Sequence, residues 1–445
     1  PDPQRAINPP GREQQWSQLN TKPWIYEKPA LVNRCPNGAL PPCPEAVSAG
    51  DPGTAVVNYK SEPIALRVTD NPQSSPSLAP VPRGDLSYAF SSSVHGDPDT
   101  PLLSAYEEDD VRMRILVGAH EEEHNFSIHG ARWLFEPSAA DSGYKSSQMV
   151  GISEFYDFEI GNLLGSPNPL TGSVDFLWKA GSSVDDLWHG IWGLIRVYQQ
   201  ARPDVEPVDA SGVIVAREVD TASVPEAPRP TLGPDTGSTP LPQHASICPS
   251  DSLPPRHYDV VAVAASQALP GGRLVYNPRG TSLDSCTLIS GTPPALDSYS
   301  CSSSGLAGPL FDPTAILFVH ASDLDSSDKL KATAPIEPLI LRARAGECVT
   351  VTLRNALPEG TTFASDLDGY SLLPNIIDRF NQNQVPPSNR VGLHPTLLSY
   401  DGLLSDGNNV GFNPEQTVAP GGSRTFVWYA GITSIQSGQV VGEPV

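Results

Sequence analysis

The 445-residue chain holds 48 Pro and 37 Gly with only 18% charged residues, which disfavours long helices and favours short strands joined by many turns. With 28 Lys and Arg against 50 Asp and Glu, the net charge of -22 argues against nucleic acid and anionic membranes as partners and modestly attracts cations. No apolar run approaches the roughly 18 residues of a membrane helix, and the length admits two or three domains, each with its own core.

Residues 1–51 carry no hydrophobic period and read as an irregular segment, without an initiator Met or a charged-then-apolar leader. A first β domain is predicted over 52–200. In "VRMRILV", Val111, Met113, Ile115 and Val117 fall on one face while Arg112 and Arg114 fall on the other, the period of a half-buried strand. "FYDFEI" (155–160) and "DFLWKA" (175–180) are aromatic, turn-bounded strands, and "DDLWHGIWGLIRVYQQ" (185–200) follows. Residues 201–255 are rich in Pro, Ser, Thr and Asp and are predicted to be a linker or surface loop.

A second β domain is predicted over 256–445. "ECVTVTLRN" places Val349, Val351 and Leu353 on one face and Cys348, Thr350 and Thr352 on the other. "APGGSRTFVWYA" turns at Pro420-Gly421-Gly422 and enters a strand. A short helical turn is expected near 371–383, where Leu372, Ile376, Ile377 and Phe380 approach helical spacing. The six cysteines form no CxxC pair, which argues against a zinc ribbon. Their even number, with Cys35/Cys43 and Cys286/Cys301 in Pro/Ser-rich loops, fits disulfides and an oxidising compartment, extracellular or periplasmic, with the pairing open.

The stretch "HNFSIHGARW" (124–133) puts His124 and His129 on one strand-like segment. Five residues apart, they point to opposite faces of an extended strand unless a bend or bulge intervenes. Together with "DDVRMRILVGAHEEE", "DLWHGIWGLIRV", "GECVTVTLRNALP", "GLHPTLLSYDG" and "GFNPEQTVAPGGSRTFVWYAG", it resembles the cupredoxin domains of multicopper oxidases, closest to the large multidomain bacterial type that includes manganese oxidases. The resemblance covers roughly 52–200 and 256–431 and implies a mostly β fold of tandem cupredoxin-like Greek-key β-sandwich domains. The second domain reads as truncated after "FVWYAG", so that a longer polypeptide or another chain would complete it.

The same resemblance implies copper and oxidation of metal ions or phenols coupled to dioxygen reduction, but the ligand patterns are depleted. No H-C-H motif is present, and Met113 and Met149 lie far in sequence from any Cys-His pair, so a blue site is not expected. His124 and His129 match two histidines of an H-x-x-H-x-H-G pattern, with Ser127 in the middle position. His394 matches the first member of an H-x-H pair whose second member is Thr396. The metal candidates are therefore His124, His129 and His394, with His189 a weaker one; His95, His120, His244, His257 and His320 read as structural or solvent-exposed.

The acidic runs Glu107–Asp110 and Glu121–Glu123 read as solvated loop faces rather than hard-cation sites, and neither a G-x-S-x-G nor a phosphate-binding Gly-rich loop occurs. Two functions remain. One is a part or subunit of a secreted multicopper oxidase, this chain mainly scaffold, with partner domains or chains completing the copper sites. The other is a non-catalytic cupredoxin serving as a structural or assembly component of an extracellular complex or filament.

Overall fold

The computed structural model describes Glu62, Arg67 and most of 85–198, then 247–249, 252–269, 315–359, 388–436 and 439–444, with short strand pieces at 274–275, 286–289, 298–301 and 311–312. The 1–51 segment, most of the 201–255 linker, the turn expected at 371–383 and the side chains of His120, His189 and His244 lie outside the described residues. The fold is mostly β, as composition and periodicity predict.

Among the described residues, seven main strands build the first unit, β1 (Leu103–Tyr106), β2 (Val111–Leu116), β3 (His124–Ile128), β4 (Ser147–Val150), β5 (Phe155–Ile160), β6 (Ser173–Ala180) and β7 (Trp192–Tyr198), and the short pieces Trp133–Leu134 and Tyr144–Lys145 pair as a further two-stranded ladder. Five of them form one sheet in the order β1-β7-β6-β3-β4, with β1 and β7 parallel and the other neighbours antiparallel. β2 and β5 pair antiparallel as a separate ladder. Its apolar face, from Val111, Met113, Ile115, Phe158 and Ile160, closes over Phe126, Phe176 and Trp178 of the main sheet. Arg112 and Arg114 face out and pair with Glu159 and Asp157 across that ladder, as the period-2 pattern requires.

β6 and β7 are buried along nearly their whole length because both faces are covered. Val174, Phe176 and Trp178 fill the core against the β2–β5 ladder, while Leu177 turns the other way to join Trp192, Leu194 and Val410. Gly193 lies directly under the Trp178 indole, where even a methyl group would collide with the ring.

The second unit is also built on a five-stranded sheet, with its parallel pair inside the sheet and not at its edge. Its sheet runs β9-β8-β10-β12-β11, formed by β8 (Leu253–Ala264), β9 (Ile316–His320), β10 (Glu347–Asn355), β11 (Ser399–Tyr400) and β12 (Ser423–Tyr429), with β8 and β10 parallel. Val349, Val351 and Leu353 point into a core with Val260, Phe426 and Trp428, while Thr350 and Thr352 are half-buried on the opposite face. After β12 the chain continues into a hairpin of β13 (Gly431–Gln436) and β14 (Gln439–Pro444).

Cys248 and Cys348 form a disulfide spanning 100 residues of sequence, which ties the segment before β8 to the start of β10. Closing so long a loop removes unfolded-state freedom and stabilises by about 2–4 kcal/mol. Cys286 and Cys301, expected in loops, occupy opposed register positions of a two-stranded antiparallel ladder.

The two units meet through the 401–416 loop, which the second contributes to the first. Leu403 is fully buried in the core of Phe126 and Trp178, and Val410 is fully buried beside Trp192. The Asp175 backbone N–H donates to Asn413 Oδ1 at 3.0 Å, and Asn413 Nδ2 donates back to the Asp175 carbonyl at 2.7 Å. The Asp175 carboxylate accepts the Phe412 N–H at 2.7 Å and Arg196 Nε at 2.6 Å, and Arg196 reaches on to Asp97 at 2.8 Å. Asp401 accepts the Ser166 N–H at 3.0 Å.

Candidate metal centre

His129 sits one residue beyond β3, in a turn completed by Gly130 at φ +74°. That backbone conformation favours glycine, and a Cβ there would press on the Phe176 ring, so the His-Gly pair is a local steric requirement. Along β3, His124, Phe126 and Ile128 share the buried face, whereas Asn125, Ser127 and His129 share the face that lines a cavity of about 310 Å³. His124 is therefore buried on the side away from His129, at roughly 16 Å of strand rise. No bulge brings the two together: β3 pairs with β4 in unbroken register over His124–Ser127.

The partner of His129 comes from the second unit. His394 precedes β11, and its ring lies over that of His129 with centroids 3.9 Å apart and planes at 28°. Both rings direct Nδ1 at the buried Asp406 carboxylate, His129 at 3.1 Å and His394 at 2.6 Å. His394 Nδ1 also lies 2.8 Å from the Asp406 main-chain carbonyl. A carbonyl only accepts, so His394 carries a proton on Nδ1, and its neutral form presents Nε2 as a lone pair. The ionised Asp406 assigns the same tautomer to His129.

Tyr400 O–H donates to Asp406 Oδ1 at 3.3 Å and meets His394 edge-on. His129, His394 and Asp406 are the one group of potential ligands that converges among the described residues, their ligand atoms all within 4.8 Å of one another.

Local sequence explains how Asp406 is held. Its N–H and that of Gly407 both donate to Gln416 Oε1, at 2.7 and 3.1 Å. Fully buried Gln416 donates from Nε2 to the Gly402 and Leu403 carbonyls at 2.9 Å. Gly392 and Gly407 let the two backbones touch: a Cβ on Gly392 would collide with the Gly407 carbonyl, and one on Gly407 with the Leu393 carbonyl. That close approach seats His394 against Asp406.

Protonation divides the two imidazoles. Burial pushes His129 down to about 4, against the pull of Asp406. His394 is more exposed, at 24% against 8% for the His129 side chain, and here the charge and hydrogen bonds of Asp406 outweigh burial and raise it above 6.5. Burial opposes ionisation of Asp406, yet both imidazoles together hold it below the usual carboxylate range. Burial and the neighbouring Asp406 charge raise Tyr400, which stays a neutral phenol.

The donor set fits an imidazole-bound transition metal and not a thiolate-bound one. Histidines that ligate metal usually donate the other ring N–H to a carboxylate or carbonyl, which is what Asp406 receives here. Thiolate ligation does not fit, since Cys248 and Cys348 are joined in a disulfide and neither belongs to the cluster. Of the sequence-predicted ligands, the fold brings His129 and His394 together and leaves His124 apart; His189 lies outside the described residues. Asp406 and Tyr400 escaped sequence reasoning, although "SYDGLLSDG" follows His394 by only a few positions.

No protein-family model matches the chain, and no curated protein is significantly similar to it. Solved structures similar to it include a variant of the multicopper oxidase McoA from Aquifex aeolicus, 17% identical with a TM-score of 0.18 over 22% of each chain. Copper nitrite reductase from Nitrosomonas europaea is 11% identical with a TM-score of 0.19 over 76% of each chain. The blue copper oxidase from the same organism is 12% identical with a TM-score of 0.17, over 74% of this chain and 65% of its own. The match to the first of these thus spans about a fifth of that oxidase. These likenesses are too distant to assign chemistry, which rests on the residues described above.

Proposed function

We propose that this chain is a metal-binding pair of cupredoxin-like units that holds a copper ion at the junction between them, as part or subunit of a copper-dependent oxidase. The observation that carries this reading is the convergence of His129 and His394, one from each unit, with both Nδ1–H groups anchored on the buried Asp406. In this reading His129 and His394 hold the ion, Asp406 orients them, and Tyr400 fixes Asp406. Copper, when bound, supplies one-electron redox chemistry, with metal ions or phenols as the reductant class. The Cys248–Cys348 bond supports placement in an oxidising compartment, periplasmic or extracellular. The working domain division is 52–200 and 256–445, joined by the 201–255 linker.

The test is copper uptake by the purified, chelator-stripped chain, measured by elemental analysis after gel filtration and by electron paramagnetic resonance. One tightly held Cu(II) per chain with nitrogen hyperfine structure is expected, and its loss in His129→Ala and in His394→Ala. Copper retained by the unmodified chain no better than by a chain carrying both substitutions would sink the reading. A second reading, a non-catalytic structural cupredoxin, draws on the same cluster: Asp406 is satisfied by two imidazoles and a phenol, so the group pins one unit to the other without any ion. That reading expects no retained copper and a large loss of stability in His394→Ala.

A further inference from the structure

The cavity that His129 and His394 border carries an unusual charge for this molecule. In a chain of net charge -22, its lining among the described residues includes the cations Arg132 and Lys179 beside the two imidazoles, and no Asp or Glu side chain. The cations come from different elements. Arg132 belongs to the turn after β3, and Lys179 sits near the end of β6, so the fold and not a local charge run assembles them.

Neither cation is in an ion pair among the described residues. Arg132 donates to the Leu397 carbonyl at 2.7 Å and to the Ser399 hydroxyl, both neutral acceptors, leaving a full positive charge without a carboxylate partner. Burial lowers both groups, Arg132 to about 10, which leaves the guanidinium charged at neutral pH, while the Asp406 charge works against burial at Lys179. Among the described residues the most deeply buried arginines are paired: Arg196 holds Asp97 and Asp175, and Arg67 holds Glu62. A part-buried cation without a counter-ion is costly, and such costs persist where a ligand supplies the missing charge. The hydroxyls of Ser127 and Ser147 on the same wall add neutral hydrogen-bonding groups.

We infer that this cavity is a binding site for a small oxyanion, with Arg132 and Lys179 supplying the opposing charge and the serine hydroxyls donating to its oxygens. A guanidinium fork matches the oxygens of a carboxylate or of an inorganic oxyanion, and about 310 Å³ sits at the lower end of small-ligand pockets. The anion occupies the cavity alongside His129 and His394, which makes it the substrate class or co-ligand for whatever those imidazoles bind. The site needs no metal, because neither cation depends on one.

The test is isothermal titration of the chelator-stripped full chain with acetate, oxalate and inorganic phosphate in turn, at low ionic strength. Saturable binding of at least one probe is expected, weakened tenfold or more in Lys179→Gln and in Arg132→Gln, with circular dichroism and thermal midpoint confirming that each variant is folded. If Arg132→Gln fails to fold, Arg132→Lys replaces it, since it keeps the charge but loses the fork and should weaken oxalate more than phosphate. Oxalate or acetate binding alone identifies a carboxylate ligand; phosphate binding alone identifies an inorganic oxyanion. No saturable binding of any probe, or binding that both substitutions leave unchanged, overturns the inference. Anion binding that survives while copper uptake fails removes the metal reading only, and the converse removes the anion site only.

Discussion

Two buried charge clusters join the units, and they are solved in opposite ways. Around Arg196 every charged group has a partner: one guanidinium is shared by Asp175 and Asp97, and the second Asp175 oxygen takes a backbone N–H from the 401–416 loop. Around Asp406 the central carboxylate is satisfied, but the two imidazoles and two cations line a cavity. A closed network stabilises and specifies the docking of the units, because removing any member strands a buried charge. An open one leaves binding capacity directed at one place, which is the physical signature of a site.

This contrast is broken most strongly at Asp175. Asp175→Ala leaves Arg196 with one partly exposed partner and orphans the Phe412 N–H, and a loss of about 3–5 kcal/mol is expected in urea unfolding. A loss below about 1 kcal/mol would show that the junction does not depend on this network.

The pH dependence sharpens the other side. His129 has a folded pKa of about 4 against an ordinary 6.5, so it binds its proton more readily when unfolded. Its contribution is therefore present above 6.5 and is lost as pH falls toward 4, by about 3 kcal/mol at full titration. His394 has the opposite sign: raised in the fold, its contribution is present below 6.5 and is lost as pH rises through the folded value, so it partly offsets His129 on acidification. Asp406, depressed in the fold, keeps its contribution until more acidic pH than either. Unfolding curves of the chelator-stripped chain between pH 7 and 4 should flatten in His129→Gln; an acid limb unchanged by that substitution would contradict the deep burial of His129.

The smallest effect is expected at Asp406 itself when charge alone is removed. Asp406→Asn keeps the shape but no longer favours the Nδ1–H tautomers, and copper affinity should drop about 10–100-fold in competition titration. A drop of many thousandfold would instead make Asp406 a direct ligand.

How much of this was legible in the chain varies with the range of the interaction. The alternation of Val349, Val351 and Leu353 against Thr350 and Thr352 was readable because strand sidedness is local. His129 was readable through the glycine behind it, which the turn demands, and the opposite facing of His124 followed from counting residues. Asp406 was not readable as the partner of His129, since 277 residues separate them and no periodicity spans that distance. Arg132 lies inside "HNFSIHGARW", yet only packing shows that its donors meet neutral acceptors.

The sequence by itself determined a β-rich chain with two similar successions of strands and histidines at strand ends, because side-chain alternation and turn chemistry act over a few residues. The tertiary structure alone decided which histidines meet, which carboxylate they share and which cations stand beside them. Those choices depend on the 401–416 loop burying Leu403 and Val410 in the other unit's core, and burial of that kind is a property of the docked units, not of either segment.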